Sequence, residues 1–336
     1  MRLSDIGEFG LIARFAPRFL ERLPAGTVGI GDDCAVLPWT KDRRLLVTTD
    51  MLVEGAHFLR AAIPARDLGY KSLAVNLSDI AAMGGRPTAA FLSLGIPGDI
   101  EVAWLDAFFR GIRDLAAAEN VPLLGGDTTK SLGPLVINIA VLGTARRGRI
   151  KFRSGARPGD AVVVTGSLGD SAAGLRVVLE KRPRGRDEAA LVRRHNRPRP
   201  HLPEGAWLAG RKAVTAMMDV SDGIDSDLRR IMERSDCGAA VNLDALPLSA
   251  LLRRTARRYG WDERELAAAG GEDYCLLATV RRDASAETAA AFERAFGRPL
   301  VRIGTITAAG DGLRYFAGGR PAALRHRGFD HFTAKV

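Results

Sequence analysis

Residues 68–87 read LGYKSLAVNLSDIAAMGGRP, and this stretch decides the type of fold more firmly than any other. Apolar side chains recur between Leu68 and Ile80 with the spacing of one face of an α-helix. The pattern stops at two consecutive glycines, where helices commonly end. The spacing therefore predicts a helix over 68–83, and it places Asp79 on that helix.

The segments around this helix alternate in type. Residues 44–49 (RLLVTT) form a β-branched apolar run that predicts a strand, and helical spacing returns over 102–118. Further strands are predicted at 121–124, running into Gly125-Gly126-Asp127, and at 135–142 (LVINIAVL), which suits a strand buried on both faces. Alternating strands and helices predict an α/β architecture for this half.

A domain boundary is predicted near residue 150. Residues 146–159 are basic and contain Gly and Ser, and Pro158-Gly159-Asp160 is a strong turn signal. Beyond it we predict strands at 161–165, 274–280 and 300–306 and helices ending near 180 and starting near 226. The interpretation is a fold of α/β and α+β type with two domains, residues 1–150 and 151–336.

The bulk composition indicates a globular protein of the cytoplasm. The chain has 336 residues, 46% hydrophobic and 26% charged, and no apolar run approaches the roughly 20 residues that span a bilayer. The N-terminus lacks the basic-then-apolar pattern of a signal peptide. Its cysteines, Cys34, Cys237 and Cys275, form no CxxC motif, so a disulfide framework is not expected.

The net charge of +10 raises a nucleic-acid-binding alternative. The arginines concentrate in residues 181–199 and 253–258, whereas the acidic clusters lie in other segments that contain glycine. Aromatic residues, which would stack on bases, make up only 6% of the chain. A solvated basic surface is therefore the favoured interpretation of the arginine runs, and we expect neither nucleic acid nor membrane as a partner.

The chemistry is predicted to lie in the acidic residues. They occur in short segments, several of them where a strand is predicted to end: Gly31-Asp32-Asp33, Thr48-Thr49-Asp50, Ser78-Asp79, Gly125-Gly126-Asp127, Asp219-Val220-Ser221-Asp222-Gly223 and Gly270-Gly271-Glu272-Asp273. Taken singly, such an aspartate is more often a turn residue or a helix cap. Taken together, so many anions in one cleft require cations, and oxygen ligands favour Mg²⁺, the usual partner of ATP.

Other motifs give weaker or negative signals. The loop Gly166–Gly174 follows a predicted strand and could direct backbone N–H groups at an anion, although close helix–strand packing explains its glycines equally well. It is not a Walker A loop, and the chain has no nucleophile elbow and no HExxH motif. A phosphoryl transfer onto a phosphate acceptor needs no general base, so a site rich in Asp and poor in His fits that reaction.

In chain order, ten segments resemble the thiamine-monophosphate kinase family. They are GEFGLI at 7–12, VGIGDDCAVL at 28–37, TTDMLVEGAHF at 48–58, YKSLAVNLSDIAAMGGRP at 70–87, LLGGDTT at 123–129, RSGARPGD at 153–160, VTGSLGDSAAGL at 164–175, DVSDGIDSDL at 219–228, GGEDYCLL at 270–277 and GFDHF at 328–332. The resemblance runs nearly end to end, and the number and order of the motifs make chance a poor explanation.

The resemblance implies a reaction and an assembly. The γ-phosphoryl group of ATP would pass directly and in line to thiamine monophosphate, with several Mg²⁺ ions and without a phospho-enzyme. The implied fold is that of the aminoimidazole-ribonucleotide-synthetase-like (PurM-like) superfamily. Its N-terminal, ATP- and metal-binding domain contributes strands to a β-barrel that spans a homodimer, and its C-terminal α+β domain packs behind.

The resemblance also implies site residues. The positions that match metal ligands are Asp33, Thr48, Thr49, Asp50, Asp79, Asp127, Asp219 and Asp222, with Asp32 as a less certain neighbour. Those around ATP are Gly126, Asp127, Arg153 and Ser221, and those that contact the substrate are His57, Glu272 and Phe329. Among them, Asp50, Asp127 and Asp222 are expected to be catalytic. Phe329 keeps the aromatic ring common at its position but lacks a polar group.

Two other enzyme classes of the same superfamily are disfavoured by missing cysteines. A selenophosphate synthetase would be expected to carry a reactive Cys or selenocysteine near the N-terminus, and the first 30 residues contain none. A hydrogenase-maturation carbamoyl dehydratase would be expected to end in Cys, whereas this sequence ends in Val336. A purine-pathway synthetase stays open as the alternative enzyme.

Overall fold

The first half of the chain forms a five-stranded sheet covered on one face by helices. A computed structural model describes residues 2–326 and Gly328. The elements of this half are α1 (Leu3–Leu20), β1 (Ala35–Pro38), β2 (Arg43–Val53), α2 (Ala65–Ala82), β3 (Arg86–Pro97), α3 (Val102–Glu119), β4 (Leu123–Ser131) and β5 (Val136–Arg146). The strand order is β1-β2-β5-β3-β4, antiparallel except for the parallel pair β3–β4.

Burial alternates along β5, and this alternation defines the two faces of the sheet. Ile137, Ile139 and Val141 are buried, whereas Asn138 and Ala140 between them remain partly exposed. In a strand, successive side chains point to opposite faces. One face therefore packs on the apolar helix α2, and the other, which we call the open face, is covered by no helix of the described chain. Within one chain this strand is buried on one face, and burial of both faces stays a prediction that depends on the homodimer.

The second half forms a seven-stranded sheet with helices around it. Its elements are β6 (Ala161–Val164), α4 (Asp170–Leu179), α5 (Arg186–Asn196), α6 (Leu202–Ala209), β7 (Val214–Asp219), α7 (Ile224–Ser235), β8 (Gly238–Asn242), α8 (Ala250–Tyr259), α9 (Glu263–Ala269), β9 (Leu276–Val280), α10 (Ser285–Phe296), β10 (Val301–Thr307), β11 (Leu313–Ala317) and β12 (Arg320–Ala322). The strand order is β12-β11-β8-β10-β6-β9-β7, with β8–β11 as a parallel pair.

Helix α2 joins the two halves. Fourteen of its residues are buried, because it lies between the first sheet and elements of the second half. Apolar side chains from both halves, such as Leu77 and Met217, belong to one continuous core. Gly205 of α6 allows a close approach, since a Cβ there would lie 2.1 Å from the carbonyl oxygen of Ala81. The polar side chains that α2 carries therefore lie at the junction between the two halves.

The structure confirms a two-domain α/β fold with mixed sheets. The predicted helix at 68–83 corresponds to α2, and the predicted strand at 135–142 lies mostly within β5. One placement is wrong: Gly125-Gly126-Asp127 lies inside strand β4, where it was expected to follow a strand. Asp50 likewise lies inside β2, whereas Asp219 is the last residue of β7, a strand that was not predicted.

The arginine-rich run at 181–199 has a structural explanation. Its helix α5 packs beside α8, where Arg254 makes two hydrogen bonds of 2.8 Å to the carboxylate of Asp187. At the other end of the run, Arg197 pairs with Asp67 at 3.1 Å and so ties the second half to α2. Of the arginines in the run itself, Arg182, Arg194, Arg197 and Arg199 form ion pairs with carboxylates of the protein. Among the helices of residues 2–326, none is both long and apolar enough to cross a membrane.

Candidate active site

Three aspartates from distant segments converge at the junction of the two halves. Asp33 precedes β1, Asp79 lies near the end of α2, and Asp219 ends β7. One carboxylate oxygen from each lies within 4.8 Å of the others. The loop, the helix and the strand therefore bring together three of the acidic segments that were expected from the sequence to meet in one cleft.

Neighbouring hydroxyl groups orient two of these carboxylates. The Thr48 hydroxyl of β2 donates to Asp79 Oδ2 at 2.5 Å, and the Ser78 hydroxyl of α2 donates to Asp219 Oδ2 at 2.5 Å. Asp50, two residues after Thr48, lies on the same face of β2 and has its backbone N–H bonded to Asn76 Oδ1 at 3.0 Å. These contacts fix carboxylates from both halves relative to α2.

Arg153 neutralises one side of the cluster. Its Nη2 and Nε atoms donate to Asp33 Oδ1 at 2.6 and 3.2 Å, and its backbone N–H donates to Asp32 Oδ1 at 2.6 Å. The other oxygen of Asp33, Oδ2, is buried and has no hydrogen-bond partner among the described residues. A buried acceptor without a donor is costly, so this oxygen is available for a cation.

The acids raise one another's pKa values when no cation neutralises them. Burial, together with neighbouring carboxylates, raises the pKa of Asp50 to about 6 and that of Asp219 to about 8. Burial likewise raises the pKa of Asp33, and it raises that of Asp79 well above its usual range. A hard divalent cation removes this penalty, and a donor set made only of oxygens suits Mg²⁺. The residues present therefore fit a magnesium site.

The corner between β7 and α7 continues the acidic surface. Asp222 lies in this corner, and burial raises its pKa to about 7, with a further contribution from Glu8. Its backbone N–H donates to Asp227 Oδ2 at 3.2 Å. The carbonyl oxygen of Ser221 accepts from the backbone N–H of Glu272 at 2.7 Å. A backbone hydrogen bond therefore joins the β7–α7 corner to the loop that contains Glu272.

Two predicted ligands lie on the other side of the first sheet. The Thr49 hydroxyl accepts from Asn138 Nδ2 at 2.9 Å, on the open face. Asp127 is exposed on the edge strand β4, opposite Ser93, which is itself opposite Asn138. Three strand spacings separate Asp127 from β2, about 14 Å. The structure therefore brings neither the Thr49 hydroxyl nor the Asp127 carboxylate into the acidic cluster.

Glu272 of the second half and His57, in the loop after β2, are near enough to interact electrostatically. Glu272 has a φ of 62°, which places its backbone in the left-handed region. His57 Nδ1 accepts from the backbone N–H of Val53 at 3.0 Å, and the nearby His57 contributes to the lowered pKa of Glu272. Lys71 of α2 also contacts Glu272, at 2.9 Å. These residues form a second polar patch, separate from the aspartates.

Phe329 lies outside the described residues, and its contact with substrate stays a prediction. The neighbouring Gly328 is described: a Cβ at this position would lie 2.8 Å from the carbonyl oxygen of Asp222. The chain therefore reaches the acidic corner immediately before Phe329.

The glycine loop at 166–174 binds a carboxyl group of the protein itself, that of Asp273. Asp273 accepts from the backbone N–H groups of Gly169 and Ser171, at 2.6 and 3.2 Å, at the start of α4. A carboxylate is favourable at a helix N-terminus. The backbone donors that could have served a bound phosphate at this loop are therefore already used by Asp273.

Sequence reasoning missed three polar residues of this region. Lys71 and Ser78 lie seven residues apart on α2, so they share the face that meets the second half. A lysine within an otherwise apolar helix was the available signal. His195 lies in the arginine-rich run and has its Nδ1 3.2 Å from Glu272 Oε2. Nothing in the local sequence separates that histidine from a surface residue.

Comparison with known proteins gives matches over the whole chain. The family model described as AIR synthase related protein, N-terminal domain, matches residues 31–145, and that for the C-terminal domain matches residues 157–315. Thiamine-monophosphate kinase of Escherichia coli K12 is 42% identical, with 97% of this chain and 98% of the relative covered. The enzyme of Bacillus subtilis 168 is 36% identical, covering 82% and 84%.

Solved structures give the same result. The structure described as AaThiL complexed with AMPPCP and TMP superposes with a TM-score of 0.85 at 35% identity, covering 98% of this chain and 99% of the other. Thiamine-monophosphate kinase from Stenotrophomonas maltophilia K279a gives 0.76 at 38% identity, covering 94% and 98%. Escherichia coli HypE, a hydrogenase maturation protein, gives 0.69 at 21% identity over 84% and 85%, a similarity of fold alone.

Proposed function

This chain belongs to the AIR synthase related family and, within it, to the thiamine-monophosphate kinases, and from that membership we propose how its residues perform the reaction. The enzyme transfers the γ-phosphoryl group of ATP to thiamine monophosphate, giving thiamine diphosphate and ADP. The observation that carries the mechanism is the convergence of Asp33, Asp79 and Asp219.

The acidic cluster is the proposed Mg²⁺ site. Asp33, Asp79 and Asp219 supply carboxylate oxygens, and Asp50 and Asp222 extend the set along β2 and the β7–α7 corner. Bound cations would neutralise the phosphate oxygens as charge develops on them. Thr48 would act mainly by orienting Asp79, and Thr49 would contribute through its backbone, since its hydroxyl lies on the open face.

The nucleotide is proposed to lie between the cluster and the edge strand β4. Gly126 and Asp127, which match positions around ATP in the family, sit on that strand, and the Asp127 side chain lies on the open face, away from the cluster. At Gly126 any side chain is excluded, because a Cβ would lie 1.6 Å from the carbonyl oxygen of Leu92. Arg153 and Ser221 would face the phosphates from the second half.

Thiamine monophosphate is proposed to bind with its phosphate at the acids and its rings at Glu272, His57 and Phe329. Lys71, which contacts Glu272, and Asp79, which belongs to the acidic cluster, are both on α2. They are eight residues apart, a distance of about 12 Å along the helix axis. One extended substrate can therefore reach both ends.

In the proposed mechanism, the chain positions two phosphates and stabilises the charge between them. The acceptor oxygen is already ionised at neutral pH, so no side chain needs to remove a proton. Asp50 and Asp222 are the proposed catalytic carboxylates, and Arg153 complements the negative charge on the nucleotide side. Asp127, which the resemblance also implies as catalytic, lies on the open face and is not given this role. Transfer is then direct and in line, without a phosphorylated side chain.

The acceptor specificity provides the test of function. We expect Mg²⁺-ATP and thiamine monophosphate to give thiamine diphosphate, measured by chromatography, whereas thiamine itself gives no product. Thiamine is the matched control because it keeps the rings and lacks the acceptor phosphate. Turnover of a purine-pathway intermediate in preference to thiamine monophosphate would establish the alternative enzyme class and overturn this proposal.

A homodimer is the proposed assembly. Met51 and Phe91 on the open face are 55% and 38% exposed, and Leu124 on β4 is 62% exposed. A two-fold axis could bury such a self-complementary apolar surface against its own copy. Pairing the open faces would also give the barrel that spans two chains, with residues 1–150 forming the dimer domain and residues 151–336 lying outside it.

Light scattering provides the test of the homodimer. At micromolar concentration we expect a mass of about 72 kDa, twice the 36.1 kDa of one chain. Phe91→Glu should shift the mass toward one chain, because it places a charge in the apolar contact. Leu179→Glu, at a position 58% exposed in the second half, is the control and should remain dimeric. A wild-type mass of one chain would contradict the assembly.

We also propose that the enzyme works in the cytoplasm. The three cysteines are buried and unpaired, which suits a reducing compartment.

A further inference from the structure

Lys71 is a lysine buried in the junction between the two halves. Its side chain is 1% exposed, whereas the Glu272 side chain that it contacts remains 26% exposed. A buried ammonium group is costly unless an anion pairs with it. The two therefore form an ion pair in which the ammonium group is buried and the carboxylate keeps some exposure to solvent.

The contact fixes the position of the whole carboxylate. Lys71 Nζ lies 2.9 Å from Glu272 Oε1 and 3.0 Å from Oε2, so one cation contacts both oxygens. His195 Nδ1 lies 3.2 Å from Oε2 and 3.0 Å from the Ser171 hydroxyl. Burial lowers the pKa of His195 to about 4, so the imidazole is neutral at pH 7 and can donate a hydrogen bond without adding charge.

The backbone of Glu272 is equally constrained. Glu272 and Tyr274 both have positive φ angles, 62° and 49°. A Cβ on Gly271 would lie 2.4 Å from the carbonyl oxygen of Ser221, so the loop packs tightly on the β7–α7 corner. Positive φ angles in residues other than glycine persist where the surroundings determine them. The side-chain contacts and the backbone conformation together hold the Glu272 carboxylate in one position.

Lys71 also controls the charge of that carboxylate. Burial raises the pKa of Glu272, but the ammonium of Lys71, together with His195 and His57, outweighs this effect, so the pKa of Glu272 falls below its usual value. Without Lys71 the buried carboxyl group would tend to become neutral. Thiamine monophosphate carries a cationic thiazolium ring, which an ionised carboxylate attracts more strongly than a neutral carboxyl group does.

We propose that Lys71 is a positioning residue that holds Glu272 ionised and aimed at the cationic ring system of the substrate. The proposal rests on the proposed function, because it assumes that Glu272 faces the ring end of thiamine monophosphate. Lys71 is too deeply buried to reach the phosphates itself, so it acts through Glu272. This contact is remote from the transferring group, and it should help ground state and transition state equally.

The test combines Lys71→Met with Glu272→Gln. We expect Lys71→Met to raise KM for thiamine monophosphate by about tenfold, with kcat and the KM for ATP within about twofold of wild type. In the Glu272→Gln background the same substitution should have no further effect on KM, because the group through which Lys71 acts is already uncharged. Lys71→Arg, which keeps the charge, should restore part of the affinity.

Stability requires a separate control. Arg298 pairs at 2.6 Å with Glu204, a carboxylate whose side chain is fully buried in the second half. Arg298→Met should lower thermal stability and leave KM for thiamine monophosphate unchanged. If Lys71→Met alone fails to fold, the double variant Lys71→Met/Glu272→Gln leaves no unpaired charge and can be compared directly with Glu272→Gln.

The outcomes separate the alternatives. A KM effect that disappears in the Glu272→Gln background supports the positioning role. A loss of kcat that persists in that background would overturn it, since Lys71 would then act on the reacting phosphates. Lower thermal stability with unchanged KM would overturn it as well, since the pair would be purely structural. The proposed function is judged separately, by whether the wild-type enzyme makes thiamine diphosphate.

Discussion

Asp219→Asn should lower kcat by a factor of about 10² to 10³, the scale expected when one preorganised electrostatic group is lost. Asp219 is 2% exposed, it ends β7, and its Oδ2 atom accepts a hydrogen bond from Ser78. Asparagine keeps the shape and can keep that hydrogen bond, but it removes one negative charge from the cluster that is proposed to hold Mg²⁺. Steady-state kinetics at saturating ATP and thiamine monophosphate would measure the loss.

The fold of this variant should remain intact. In the protein without cations, burial and the neighbouring Asp33 penalise the charge on Asp219, so its removal should not lower thermal stability. Asp283→Asn is the matched control, because the Asp283 side chain is 74% exposed and lies far from Asp219 in sequence. This variant should keep wild-type kcat. A kcat within threefold of wild type for Asp219→Asn would show that Asp219 is a structural residue.

Removal of divalent cations should abolish activity, with a fall of at least about 10³ in rate. The convergence of Asp33, Asp79 and Asp219, with an unpaired buried oxygen on Asp33, leaves negative charge that no described side chain fully offsets. Excess chelator should stop product formation, and Mg²⁺ added beyond the chelator should restore it. The control is the same chelator already saturated with Mg²⁺. Full activity in excess free chelator would contradict the account.

The same cation should stabilise the folded protein. A ligand at 100 times its dissociation constant adds about 2.7 kcal/mol to the free energy of unfolding. The melting temperature should therefore rise with Mg²⁺ in wild type, and this rise should disappear in Asp33→Asn/Asp79→Asn/Asp219→Asn.

Local sequence patterns predicted most of the helices and strands, because each type of element spaces its apolar residues with its own period. The helix at α2 and the strand at β5 follow directly from apolar spacing. The placement of Asp127 could not be predicted in this way. A glycine pair usually ends an element, whereas here Gly125 and Gly126 lie inside the edge strand β4, where Gly126 avoids a clash with the backbone of β3.

The residue types of the site could be predicted from the sequence, whereas most contacts between them could not. Acids beside glycines indicated a metal cluster, and three of them do meet. The partners of Glu272 depend on contacts between segments more than 50 residues apart, which no local pattern records. Lys71 lies 201 residues from Glu272 in sequence, and the two meet only because α2 packs against the second half. The contact between Asp273 and the glycine loop could not be predicted for the same reason, because the two segments lie far apart in sequence.

The most direct test of the central claim is anomalous diffraction from crystals grown with Mn²⁺ and a non-hydrolysable ATP analogue. Mn²⁺ accepts the oxygen ligands that suit Mg²⁺ and can be located by its anomalous signal. We expect a peak among the carboxylates of Asp33, Asp79 and Asp219, with the terminal phosphate of the analogue as a further ligand. Electron density for the bound analogue without an anomalous peak at these aspartates would contradict the account.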